Sequence, residues 1–61
     1  MKLADLERHL RREGCAFYRE GGGHTIWINP NNRKIASVPR HREIKEFTAR
    51  AICKQLEIAL P

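Results

Sequence analysis

The stretch Cys15-Ala16-Phe17-Tyr18-Arg19-Glu20-Gly21-Gly22-Gly23-His24-Thr25-Ile26-Trp27-Ile28-Asn29 decides the fold. Its two arms alternate about a run of three glycines, which predicts two short strands, Cys15 to Glu20 and His24 to Asn29, paired as a hairpin. Consecutive glycines carry a high ordering cost, so their presence implies a backbone that needs positive φ or something that approaches it closely. The residue they deliver is His24, and imidazole is the side chain that both takes and gives a proton near neutral pH. His24 is therefore the first candidate for chemistry, with Gly21, Gly22 and Gly23 as its supporting loop. A flexible hairpin tip that merely ends in histidine is the alternative.

Working outward, Pro30-Asn31-Asn32 supplies turn chemistry, Lys34 to Val38 reads as a third strand, and Pro39 ends it because proline cannot donate to a ladder. Upstream, Leu3, Leu6 and Leu10 recur at helical spacing, Glu7 and Arg11 form an i,i+4 pair on the solvated side, and Gly14 stops the helix. His9 lies at the boundary of that stripe. Downstream, Ile44, Phe47, Ala51, Ile52 and Leu56 fall on one stripe of a second helix. The expectation is an α+β fold, a single domain over residues 1–61 ordered α-β-β-β-α, with a three-stranded antiparallel sheet and both helices on one face. Cys15, Phe17, Ile26, Ile28 and Val38 are assigned to the covered face, and Tyr18 and Trp27 to the open one. A slip of one residue would bury the aromatics instead.

A chain of 61 residues buries only about 60% of its unfolded surface, enough for a thin core and one functional surface. Twelve Lys and Arg against seven Asp and Glu give a net charge of +5, which points to polyanions as partners. Arg19, Arg33, Lys34, Arg40 and Arg42, on or near the sheet and its edges, are the candidate contacts to such a polyanion, with Arg19 and Lys34 as phosphate clamps. Cys15 and Cys53 show no ligand spacing, so no zinc or other metal site is legible. They read as reduced core residues, with a disulfide as the alternative. No apolar run has the length of a signal h-region or a membrane span, so a cytoplasmic protein with no membrane association is expected.

The element order and the basic balance resemble the double-stranded RNA-binding domain. A closer resemblance lies in Gly14 after the first helix, Gly22-Gly23-His24 entering the second strand, and Val38-Pro39-Arg40-His41 ending the third. Glu43-Ile44-Lys45, Thr48, Ile52, Lys54-Gln55-Leu56 and Ile58 extend it through the second helix. In these the chain resembles the HicA-type (YcfA-like) toxins of bacterial toxin–antitoxin modules. The resemblance implies a ribosome-independent endoribonuclease acting on mRNA, neutralised by a HicB-type antitoxin, with His24 at the family's catalytic position. The chain departs from the pattern at Phe47 and Glu57, where many members carry glycine.

The chemistry is consistent without the family. RNA brings its own nucleophile, the 2′-OH, so a protein need only hold the strand, remove that proton, stabilise the developing charge and protonate the leaving 5′-oxygen. No cofactor or metal is required. Tyr18 and His41 are the candidates for the second proton-transfer group, and each also has a structural reading. Tyr18 and Trp27 could also stack on bases. A non-catalytic RNA-binding module and a protein-interaction domain are the rival readings.

Overall fold

In the computed structural model, which describes residues 1–61, helix α1 (Leu3–Arg12) is built on Leu6 and Leu10. Their spacing of four residues brings both onto one stripe with no solvent exposure, with Leu3 at its edge. Gly14 ends the helix at φ +92°. The amides of Gly14 and Cys15 donate back to the carbonyls of Arg11 and Leu10 at 3.0 and 2.9 Å, the paired bonds of a Schellman motif.

Strands β1 (Ala16–Gly21), β2 (His24–Asn29) and β3 (Lys34–Pro39) form one antiparallel sheet with β2 in the middle. Helix α2 (Glu46–Leu56) follows a short connection. Leu6 and Leu10 of α1 share a single core with Ala49, Ile52, Cys53 and Leu56 of α2 and with Trp27, Ala36 and Val38 of the sheet. The α-β-β-β-α order is the one expected, and both helices contribute to the core on one side of the sheet. Cys15 and Cys53 are unpaired and buried in that core, and burial pushes both thiols up from their usual range.

The sheet assignment is reversed on the central strand. Trp27 is 1% exposed and packs under the helices, so by alternation Thr25 and Asn29 share that face while His24, Ile26 and Ile28 occupy the open one. Trp27 wins the covered side because it brings more apolar area than either isoleucine, and its indole N–H is satisfied there by Thr25 Oγ1 at 3.0 Å. The Arg11 guanidinium lies 5.1 Å from its ring centroid and closes one side of the ring. Cys15 and Val38 are buried as expected; Ile26 is buried too, at 8% exposure, but on the other face, beside Gly21 and outside the core cluster. Phe17 pairs with Trp27 on the edge strand and stays half exposed, and Tyr18 is exposed as expected.

The stripe of α2 is also shifted. Phe47 is 70% exposed and Ala51 is exposed, and their places are taken by Ala49 and Cys53. Ile44 is buried but precedes the helix, which begins only at Glu46, so counting the stripe from Ile44 misplaced its phase. Small residues at 49 and 53 also let the helix approach a sheet face already carrying Trp27.

The C-terminus of α2 is held by the β2–β3 turn. Asn29, 4% exposed, donates from Nδ2 to the Leu56 carbonyl at 2.8 Å and accepts the Asn31 amide on Oδ1 at 3.0 Å. Asn32 donates to the same Leu56 carbonyl at 3.1 Å. The helix then stops at Glu57, which takes the left-handed conformation at φ 58° while Ile58 donates back to the Cys53 carbonyl. The helix does not run on to Ile58.

Two stability outcomes follow from this end of the molecule. Asn29→Ala leaves the Asn31 amide without its acceptor and removes one of two donors to Leu56, and is expected to lower stability by about 1–2 kcal/mol in urea unfolding. An unchanged midpoint would show that the turn does not hold the helix end. Glu57→Gly removes the left-handed penalty and sacrifices two exposed contacts, the ion pair with Lys34 at 3.9 Å and a long hydrogen bond from Asn32 at 3.5 Å, so the melting temperature should rise, by about 0.5–1 kcal/mol of added stability.

Candidate active site

Only Gly22 and Gly23 separate β1 from β2. Gly23 turns the chain with φ +70°, where an L side chain is strained, whereas Gly22 faces open space and Gly21 is already part of β1. Gly22 contributes through its backbone. His24 Nδ1–H donates to the Gly22 carbonyl at 2.8 Å. A carbonyl only accepts, so in the neutral ring Nδ1 carries the proton and Nε2 carries the lone pair. His24 is exposed, and its ring is therefore an oriented base with its basic nitrogen available to a ligand.

The open face gives this base its neighbours. Gly21 and Pro39 flank His24 across the sheet, and Arg19 and Ser37 flank Ile26, one step further along the same face. Arg19 is there because of a β-bulge: the pairing runs Phe17 with Trp27 and then Arg19 with Ile26, leaving Tyr18 unpaired between them. Without the bulge, strict alternation from Phe17, which shares the covered face with Trp27, would put Tyr18 on the open face and Arg19 on the covered one. The extra residue instead leaves Tyr18 exposed at the edge and keeps Arg19 diagonal to His24, about 7–8 Å away between backbone positions. That is within guanidinium reach of a phosphate held at His24.

The remaining candidates divide by location. Arg40 directly follows Pro39 and is ion-paired with Glu20. With Arg42, Lys2, Leu3, Ala4 and Glu7 it lines an open cleft of about 680 Å³ between the start of α1 and the β3–α2 connection. His41 is exposed and lines a second cavity with Pro39. Arg33 and Lys34 lie elsewhere: Lys34 pairs with Asn29, five residues along β2 from His24, which places it about 17 Å away at the opposite end of the sheet. Its ammonium is 3.9 Å from Glu57. The structure thus brings Arg19 to His24, puts Arg40 and Arg42 at the same end of the sheet, and separates Arg33 and Lys34 from both.

Sequence reasoning missed Ser37, Pro39 and the Gly22 carbonyl as neighbours of His24. Ser37 and Pro39 become visible only through the β2–β3 register, and a backbone carbonyl leaves no mark in residue type. No group of three His, Cys, Asp or Glu side chains is placed to hold a metal ion, and no helix is long and apolar enough to cross a membrane.

A family model described as the HicA toxin of bacterial toxin–antitoxin systems matches residues 3–58. No curated protein and no solved structure matches the chain significantly. The matched span runs from the first residue of α1 to the residue that closes the cap of α2, and so includes every element described above.

The turn geometry makes the glycines unequal. Gly23→Ala is expected to destabilise the protein by about 1–2 kcal/mol, and Gly22→Ala to stay within about 0.5 kcal/mol of the wild type, both read by urea unfolding. Equal effects at the two positions would show that the hairpin does not depend on the left-handed residue.

Proposed function

Because the chain belongs to the HicA toxin family of bacterial toxin–antitoxin systems, we propose that it acts in the cytoplasm as a ribosome-independent endoribonuclease on mRNA, with His24 as its general base. The observation that supports this reading best is the bond from His24 Nδ1–H to the Gly22 carbonyl, which leaves Nε2 unprotonated on an exposed residue diagonal to Arg19 in the strand register.

In the proposed reaction, His24 Nε2 takes the proton of a ribose 2′-OH. The 2′-oxygen then bonds to the adjacent phosphorus, and the bond from phosphorus to the 5′-oxygen breaks. The products are a 2′,3′-cyclic phosphate and a 5′-hydroxyl, whose proton comes from the imidazolium or from water. Arg19 meets the charge that develops on the phosphoryl oxygens, and its planar fork suits that geometry. Arg40 and Arg42, with Lys2, hold the strand further along in the cleft. Tyr18 and His41 are the candidates for the second proton-transfer group in this reading. General acid–base help of this kind supplies roughly 10²–10⁴ in rate, which suits a shallow site on a small chain. The partner that silences the toxin is, in this reading, a HicB-type antitoxin that covers the hairpin loop and the basic surface.

His24→Ala is expected to lower cleavage of a labelled RNA by about 10²–10⁴-fold, in buffer containing EDTA, while the fold changes by less than about 1 kcal/mol because the side chain is exposed. Cleavage at the wild-type rate would move the chemistry to another residue. An unfolded variant would make His24 structural.

A further inference from the structure

Phe47 is the most exposed of the large apolar side chains, at 70% of its free surface, and it stands at the start of α2, away from the core. A single exposed aromatic is ordinary in itself. This one lies on the wall of a cavity of about 290 Å³, which it shares with Pro39, His41, Lys45 and Thr48, above the buried Ile44. The cavity adjoins the proposed site through Pro39, whose strand partner is His24, one strand spacing of about 4.8 Å away.

The lining has the composition of a base-binding pocket. Phe47 offers a ring face for stacking. The Lys45 ammonium, 5.9 Å from the ring centroid, sits where a phosphate attached to the stacked nucleotide could reach it. Thr48 and His41 supply polar atoms that both donate and accept, as the edge of a base requires. Two carboxylates lie nearby, Glu43 in the lining and Glu46 between Lys45 and Phe47, and both are paired with the Met1 amine, at 2.9 and 3.4 Å, which reduces their repulsion of a polyanion. The net charge of +5 favours an anionic ligand over an acid-binding role. An aromatic ring beside a cation, next to a backbone-cleaving histidine, is the pairing through which unpaired nucleic acid is held.

We infer that Phe47, with Lys45, His41 and Thr48, forms a subsite for one unpaired nucleobase of the RNA strand, next to the nucleotide whose 2′-OH faces His24. The subsite rests on the reading of the chain as an RNA nuclease.

The test uses binding, so that it does not depend on cleavage. In the His24→Ala background, a fluorescein-labelled single-stranded RNA of ten nucleotides is titrated by anisotropy against the parent, Phe47→Ala and Phe47→Tyr, with an abasic site moved one position at a time along the same RNA. Phe47→Ala should weaken binding about 5- to 100-fold and Phe47→Tyr should restore it, as stacking on one base predicts. One abasic position should weaken the parent by a similar factor and leave Phe47→Ala unaffected. Equal affinity of parent and Phe47→Ala overturns the subsite while leaving the nuclease reading intact. Loss of antitoxin binding by Phe47→Ala with unchanged RNA affinity also overturns it, in favour of a protein contact. Absence of RNA binding by every protein, the parent included, overturns both the subsite and the nuclease reading.

Discussion

Burial of Trp27 is the constraint on which the rest depends. Side chains on a strand alternate strictly, so seating Trp27 under the helices sends His24, Ile26 and Ile28 to the other face of β2. Had the two isoleucines been covered, as their apolar character suggests, His24 would have gone under the helices with them. An imidazole in that position would need a buried partner and would meet no polymer. The packing choice at one aromatic therefore decides whether the histidine of the hairpin is accessible. Thr25 makes the choice tolerable by accepting the indole N–H, which would otherwise be buried unpaired.

The hairpin adds two further devices to that parity. The bulge at Tyr18 shifts the register of the edge strand against β2 by one residue and so puts a basic side chain, Arg19, on the open face. The Gly22 carbonyl holds one nitrogen of the imidazole and so determines the state of the other. Neither device involves the core. Each uses backbone geometry to aim a side chain, which is how a chain too small to enclose a cavity can still present an oriented group.

Much of the architecture was legible because local signals and packing agree there. Gly14 was readable as a cap since its left-handed conformation and the apolar stripe before it point to the same boundary. The three strands were readable from alternation and turn residues. What was not legible is what depends on competition between elements. Ile26 and Ile28 lost the covered face to a larger side chain, and no single-strand pattern contains that comparison. Phe47 and Ala51 lost their places to Ala49 and Cys53 because the phase of a helix follows from its first residue, and Lys45 is still extended. Asn29 read only as the last residue of a strand, yet its amide is the buried link between the sheet and the last carbonyl of α2. At the candidate site, His24 and Arg19 stood out by residue type, while the separation of Lys34 from them lies in the direction of the strands.

These contrasts give the sheet two unlike ends. At one end, Asn29 and Asn32 lock the turn to Leu56, and the strain at Glu57 is held in place by that packing. At the other, the Gly22–Gly23 turn touches nothing that a Cβ would displace, and His24 stands in solvent. A marginally stable domain cannot let its stability rest on residues that must also meet a substrate, because every adjustment of the site would then be a loss of several tenths to whole kcal/mol of folding free energy. Placing the helix lock about 17 Å from the histidine separates the two demands. The open end is then free to carry exposed side chains such as Phe47 without disturbing the core.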